Sequence, residues 1–173
     1  MDHFHEIRGK LEAYGLDAMM LTHESNRLYA TGFHSMGTDG LALITHTNTY
    51  YFTDSRYTEA AEKAVPNAVL REVKAGRGYT VLVEEVIRKE GLKKIGFEDA
   101  YMTVQEYERY RKALSCELVP ATDLLLQLRM VKSEEELAAM TAAQRISEKA
   151  LEDILKEIRP GVTEKEIAAR LQY

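Results

Sequence analysis

Histidine is the most common metal ligand and proton carrier, and the five here are His3, His5, His23, His34 and His46. His3 and His5 stand two apart, which on a helix puts them on different faces. They are expected to be solvated N-terminal histidines rather than a metal site. His46 falls at a hairpin turn and is expected to be exposed. His23 ends a strand-like run and His34 follows Gly32 in a loop, the places where sites on an α/β scaffold collect. The densest polar cluster is Asp54-Ser55-Arg56-Tyr57. It lies between a strand-like and a helix-like stretch, where Asp54 could orient a partner and Arg56 could clamp a carboxylate. The competing structural role is Asp54 or Ser55 as a helix cap and Arg56 as a first-turn surface charge.

Other chemistry is not signalled. The sequence contains no GxSxG, HExxH, CxxC or Walker A pattern, so nothing points to a nucleophile with a base, a zinc motif or a phosphate loop. Gly76-Arg77-Gly78 fails the full dinucleotide spacing and reads as a turn. The single cysteine, Cys116, cannot form an internal disulfide and fits a reducing compartment such as the cytoplasm. The acidic run Glu134-Glu135-Glu136 reads as favourable charge at a helix start.

The elements that must position these residues follow from periodicity and punctuation. Residues 2–14 read as a helix, capped by Asp2 and stopped by Gly15. Residues 18–21 form a short buried strand, and Asn26 to Tyr29 a helical turn. Residues 32–40 form a loop carrying the exposed-looking aromatic Phe33 together with His34. Residues 41–45 and 49–53 make a hairpin across His46-Thr47-Asn48. A helix over 56–64 and a strand over 68–73 follow. Then comes a helix over 80–89, with Val81, Leu82, Val86 and Ile87 inward and Gly91 as its stop. Residues 94–97 form a strand, Thr103 to Glu106 a capping box, and 117–119 a last strand. Strands alternating with helices, with one hairpin inserted, indicate an α/β architecture: a mixed β-sheet flanked by helices.

The last stretch differs. Ser133 to Glu136 is a second capping box and opens a long helix with Leu137, Met140, Ile146, Ala150, Ile154 and Ile158 at helical spacing. Pro160-Gly161 ends it, and Thr163 to Glu166 is a third box. The chain stops at Tyr173 without a helix terminator, which reads as a fragment of something longer. The domains are thus drawn at 1–131 and 132–173. An apolar stripe with no sheet to cover it predicts a homodimer or higher homo-oligomer in which helices over 133–159 pack on a partner chain.

Composition sets the outer bounds. Of 173 residues, 45% are hydrophobic and 29% charged, which is ordinary for a globular protein and rules out wholesale disorder. A net charge of −5 argues against a nonspecific nucleic-acid binder. No run approaches the roughly 20 apolar residues of a membrane span, and the N-terminus lacks the form of a secretory signal. A cytoplasmic protein without nucleic-acid or membrane partners is expected.

Five segments together resemble a known family: Asn26-Arg27-Leu28-Tyr29-Ala30-Thr31-Gly32-Phe33, Tyr51-Phe52-Thr53-Asp54-Ser55-Arg56-Tyr57, Ile95-Gly96-Phe97-Glu98, Leu128-Arg129-Met130-Val131-Lys132-Ser133-Glu134-Glu135-Glu136-Leu137 and Ile158-Arg159-Pro160-Gly161-Val162-Thr163-Glu164. Their order resembles the N-terminal domain of the prolidase, Xaa-Pro aminopeptidase and creatinase family, followed by the first helices of its pita-bread catalytic domain. The resemblance implies a ribonuclease H-like N-terminal fold. It implies a parent that cleaves before proline in small proline-containing peptides, using two divalent metal ions (Mn, Co or Zn) to activate a bridging water. The family's ligands, two Asp, one His and two Glu, lie beyond the first catalytic helices, and no histidine follows His46. No metal ligand or catalytic residue is therefore assigned here. In the family the N-terminal domain helps form a dimer and narrows the active-site entrance. The matching positions are Phe33, His34, Asp54, Arg56 and Tyr57, with His34 or Arg56 expected to meet the substrate's terminal carboxylate or its proline side. The alternatives are a non-catalytic peptide- or protein-binding module of the same fold, and a creatinase-type C–N hydrolase.

Overall fold

The computed structural model describes residues 3–37 and 39–172. The chain divides into two compact units, Met1–Met130 and Val131–Tyr173. The cap expected of Asp2 lies outside the described residues.

In the first unit the elements run α1 (Phe4–Leu11), β1 (Ala18–Leu21), α2 (Glu24–Thr31), β2 (Leu41–Thr45), β3 (Thr49–Thr53), α3 (Thr58–Ala64), β4 (Val69–Glu72), α4 (Tyr79–Glu90), β5 (Lys94–Phe97), α5 (Val104–Ala113), β6 (Glu117–Pro120) and α6 (Thr122–Met130). Among the described residues the strands form one six-stranded sheet, ordered β4-β3-β2-β1-β5-β6. The expected hairpin is present: β2 runs antiparallel to β1 and β3, and the other neighbours pair in parallel. This is the mixed, helix-flanked sheet expected from the order of elements.

β1, β2 and β3 are buried at every position, because helices cover both faces. Met19, Leu21, Ala42, Ile44 and Tyr51 pack with α1, α6, Ala30 of α2 and Ala61 of α3. Ala18, Met20, Leu43, Tyr50, Phe52 and Ile95 pack with α4 and α5 on the other side. Each large apolar side chain so buried contributes about 2 kcal/mol, so these strands read as unbroken apolar runs rather than alternating ones.

Several local expectations change. The first helix is α-helical only over Phe4–Leu11. A 3-10 turn over Glu12–Tyr14 follows, and Gly15 ends it at φ 62°. The turn at 26–29 is a helix of two turns. In α4 the inward set is Leu82, Val83, Val86 and Ile87, while Val81 is exposed. Residues 82, 83, 86 and 87 form one stripe at 100° per residue, and 81 falls off its edge. His3 is not solvated: it is 8% exposed and stacks on Tyr29 at 4.0 Å and 6°. α6 was not anticipated, since its run of leucines lies between Pro120 and the motif at 128. Gly76-Arg77-Gly78 is a turn, as expected, closed by a bridge between Lys74 and Arg77.

The second unit comprises α7 (Glu134–Leu155) and α8 (Glu164–Gln172). Each opens on its expected capping box: Ser133 Oγ accepts from the Glu136 amide at 3.2 Å, and Thr163 Oγ1 from the Glu166 amide at 3.3 Å. α7 stops at Leu155, short of the expected 159: Pro160 has no amide to bond the carbonyl of Lys156, four residues earlier, and its ring would clash with it. Ile154 is buried, while Leu137, Met140, Ile146 and Ile158 are exposed.

Gly96 is where β5 meets both neighbours, pairing with Met19 and Val119. A Cβ there would come within 2.7 Å of Leu16 Cδ1, 2.8 Å of Met19 Sδ and 3.0 Å of Ala121 Cβ. Gly96→Ala should therefore destabilise the first unit by about 2 kcal/mol through overpacking, read as a lower denaturation midpoint with an unchanged m-value.

Candidate functional site at the carboxyl rim of the sheet

In a parallel sheet the chain leaves every strand at the same rim, and ligands bind in the crevice beyond it. Here β1 ends at Leu21, β3 at Thr53 and β5 at Phe97, while antiparallel β2 begins there at Leu41. Thr22 and His23, the loop 32–40, Asp54 to Tyr57 and Glu98 are therefore brought to one rim.

Two buried polar groups organise it. Glu98 is fully buried. Its Oε2 accepts from the Thr22 amide at 2.5 Å, the Thr22 hydroxyl at 3.1 Å and the His23 amide at 2.8 Å; its Oε1 accepts from Asn26 Nδ2 at 2.7 Å. Asn26 Oδ1 in turn accepts from Arg129 Nη1 at 2.6 Å. Arg27, 1% exposed, donates Nη1 to the Thr22 carbonyl and Nη2 to the carbonyls of Ser35 at 3.0 Å and Gly37 at 2.7 Å. Ser35 Oγ and Tyr51 Oη share a hydrogen bond of 2.7 Å. Gly40 is required beside them, since a Cβ would come within 2.6 Å of Tyr51 Oη and 2.8 Å of Ser35 Oγ.

The five residues expected at the entrance all lie on this rim. Phe33 is half-buried rather than exposed: it meets Tyr51 edge-on at 5.8 Å and Tyr57 at 6.4 Å, because the loop folds it back onto the core. His34 is exposed, with Nε2 2.6 Å from Glu24 Oε1. Glu24 Oε2 accepts from the Gly37 amide at 2.7 Å. That amide, then His34, holds the Glu24 carboxyl below its ordinary range. Arg56 forks onto Asp54, Nε to Oδ1 at 3.0 Å and Nη2 to Oδ2 at 2.6 Å, and reaches Asp39 Oδ1 at 3.0 Å. The guanidinium lowers the Asp54 pKa, and Asp54, then Asp39, raises that of Arg56. Its carboxylate-binding fork is thus occupied within the chain.

The cap expected of Asp54 or Ser55 is not formed. α3 begins at Thr58 with Tyr57 at its N-cap and no side-chain cap bond. The Asp54 carboxylate is taken by the Arg56 amide and guanidinium instead. Sequence reasoning reaches Asn26, Arg27, Glu98 and Arg129 only as motif positions.

Beside this cluster a cleft of about 570 Å³ opens between the start of α2, the start of α4 and the β5–α5 connection. His23 and Tyr101 stack in its wall at 3.9 Å and 21°. Tyr79, also in the wall, has its hydroxyl pKa pushed up to about 12 by burial and by the nearby Asp54 and Asp39 carboxylates. Among the described residues no group of three or more His, Cys, Asp or Glu could hold a metal ion, so the residues present do not fit a two-metal centre.

Two outcomes follow from this geometry. Arg27→Met leaves the Thr22, Ser35 and Gly37 carbonyls without their donor, and should cost about 3 kcal/mol in denaturant unfolding while making the loop 33–37 sensitive to protease. Glu24 has a folded pKa below its model-peptide value of 4.5, so its hold on the loop is complete above that value and is lost as pH falls through the lower folded one. The Gly37 amide proton shift should titrate with a midpoint below 4.5, and Glu24→Gln should abolish that titration.

Residues 5–131 match the Creatinase/Prolidase N-terminal domain family, and residues 138–173 match metallopeptidase family M24. Among solved structures, an Xaa-Pro dipeptidase from Bacillus anthracis is 32% identical with a TM-score of 0.88, over 97% of this chain and 46% of that one. An X-Pro aminopeptidase from Thermotoga maritima MSB8 is 29% identical with a TM-score of 0.83, over 100% of this chain and 48% of that one. An uncharacterized peptidase, YqhT, of Bacillus subtilis (strain 168) is 32% identical over 97% of this chain and 47% of its own length. The chain spans about half the length of the curated relatives it matches. With its first unit matched almost end to end and the same fold in both solved relatives, the chain belongs to the Creatinase/Prolidase N-terminal domain family.

Proposed function

We propose that this chain is the amino-terminal part of a metal-dependent peptidase that hydrolyses the bond before proline in small Xaa-Pro peptides. Its own role in that enzyme is to position substrate and restrict access. The observation that carries the reading is the succession, in one chain, of the Creatinase/Prolidase N-terminal match over 5–131 and the M24 match over 138–173. Relatives described as Xaa-Pro dipeptidases and aminopeptidases support it. M24 chemistry supplies a metal-activated water. No residue of this chain is assigned to that step, and two divalent ions (Mn, Co or Zn) are placed in the rest of the parent.

The rim contributes shape. Phe33 and Tyr57 present an apolar edge suited to a proline ring, with the paired His34–Glu24 and Arg56–Asp54 beside it. Such contacts hold a small peptide in register and exclude a folded one. Homo-oligomer formation through the exposed stripe of α7 belongs to the same reading, as does a cytoplasmic setting, which the lone, half-buried Cys116 supports. No helix among the described residues is long and apolar enough to cross a membrane.

The test is turnover by the full-length parent loaded with Mn²⁺ or Co²⁺, against Xaa-Pro dipeptides, longer Xaa-Pro peptides and creatine. Cleavage before proline, abolished by EDTA and absent from the 173-residue chain alone, is the expected result. Turnover of creatine alone, or of none of the three, refutes it.

A further inference from the structure

α6 ends at Met130, the last residue of the first unit. Its final turn has little apolar hold. Leu126 and Met130 are exposed, and only Leu128 packs, partly buried, on the core. Segments with so few buried contacts open locally at low cost. What fastens this one is polar: Arg129 Nη1 donates to Asn26 Oδ1 at 2.6 Å. Asn26 is 1% exposed, so its carbonyl oxygen has no water to fall back on. The orientation of its amide is set from both sides. Nδ2 must face the Glu98 carboxylate, which accepts, and Oδ1 must face the guanidinium, which can only donate.

Asn26 and Arg27 are neighbours on α2 and serve opposite ends of one network. Arg27 holds the carbonyls of Thr22, Ser35 and Gly37. Thr22 in turn gives its amide and hydroxyl to Glu98 Oε2, while Glu98 Oε1 takes Asn26. A continuous run of hydrogen bonds therefore joins Arg129 to the loop 33–37 by way of Asn26, Glu98, Thr22 and Arg27. Bonds in such a buried chain strengthen one another, and a half-satisfied one is costly. Without Arg129, Asn26 Oδ1 has lost its donor. The amide regains one only by turning, which takes Nδ2 away from Glu98 and leaves the buried carboxylate a donor short. The Asn26 amide is thus an element with two arrangements, which both ends of the network bias.

We propose that Arg129 is a latch. Closed on Asn26, it holds the last turn of α6 and, through Glu98, favours the pinned form of the loop 33–37; released, it loosens both. Coupling free energies are reciprocal, so loosening the loop also loosens the last turn. The place where the chain leaves the first unit and the shape of a loop on the carboxyl rim therefore vary together. Every residue involved lies in the first unit, so the inference stands apart from the peptidase reading and is tested without turnover.

Hydrogen exchange of the 173-residue chain, followed amide by amide by NMR, is the test. Arg129→Met should speed exchange at Gln127 and Leu128 about tenfold, as for one buried acceptor left unpaired. It should also speed exchange at the Phe33 and Asp39 amides, which are bonded to Thr31 Oγ1 and the Met36 carbonyl, about fivefold, within the usual range of couplings. Arg129→Lys keeps a donor and should restore most of both. Glu24→Ala removes the acceptor of the Gly37 amide without touching the network, and should speed exchange at Gln127 and Leu128. Amides of α4 and α5, which lie off this path, should be unchanged in all three variants. Unaltered loop exchange in Arg129→Met, an unaltered last turn in Glu24→Ala, no restoration by Arg129→Lys, or a uniform rise that includes α4 and α5 overturns the proposal.

Discussion

Glu98 is a carboxylate with no access to water, and much of the first unit is arranged to make that tolerable. An uncompensated buried charge costs several kcal/mol. Four donors meet this one, from Thr22, His23 and Asn26. Three of those donors belong to the two residues that lead from β1 into α2. Glu98 itself follows β5, the parallel neighbour of β1. The carboxylate therefore fixes the direction in which the chain leaves the sheet and enters α2. Asn26 extends the network to Arg129 at the end of α6, so a single buried group ties together β1, α2, β5 and α6.

Fixing α2 places Arg27 beside the loop that follows it. Its guanidinium fork suits several acceptors at once, and the carbonyls of Thr22, Ser35 and Gly37 supply them. The loop that follows is pinned from beneath at Ser35 and Gly37. Phe33 is thereby turned onto Tyr51, and His34 is left outside, facing Glu24. Order thus passes from a buried carboxylate through a helix to a surface loop, and the loop's shape becomes a property of the core. This is how a site on loops acquires the precision of the scaffold.

The sheet was legible in the sequence because its strands are short apolar runs set off by glycine, proline and polar turns, a pattern that burial on both faces demands. Capping boxes at Thr103, Ser133 and Thr163 marked three helix starts, since that signature is local. What sequence reasoning missed depends on tertiary placement. Asn26, Arg27, Glu98 and Arg129 stood in view as motif positions, but periodicity cannot show that a charged side chain is buried when its partners lie between 5 and 103 positions away. His3 was misjudged for the same reason: only the fold brings Tyr29 over its ring. α6 escaped because four leucines in five positions suit a strand as readily as a helix. Asp54 looked like a cap because its type and place suit one, yet the nearer guanidinium of Arg56 took the carboxylate first.

Side chains already satisfied within the chain have little left to offer a ligand. A carboxylate approaching Arg56 would have to displace Asp54 or Asp39, and one approaching His34 would contend with Glu24. The exchange returns only the difference between two similar interactions, largely screened by solvent. In the entrance role proposed for this rim, specificity would come mainly from the shape set by Phe33 and Tyr57, with the paired charges holding that shape. A rim in that role would need no hydrolytic group of its own, because contacts that hold substrate and transition state alike govern affinity, while acceleration comes from groups that act only at the reacting bond.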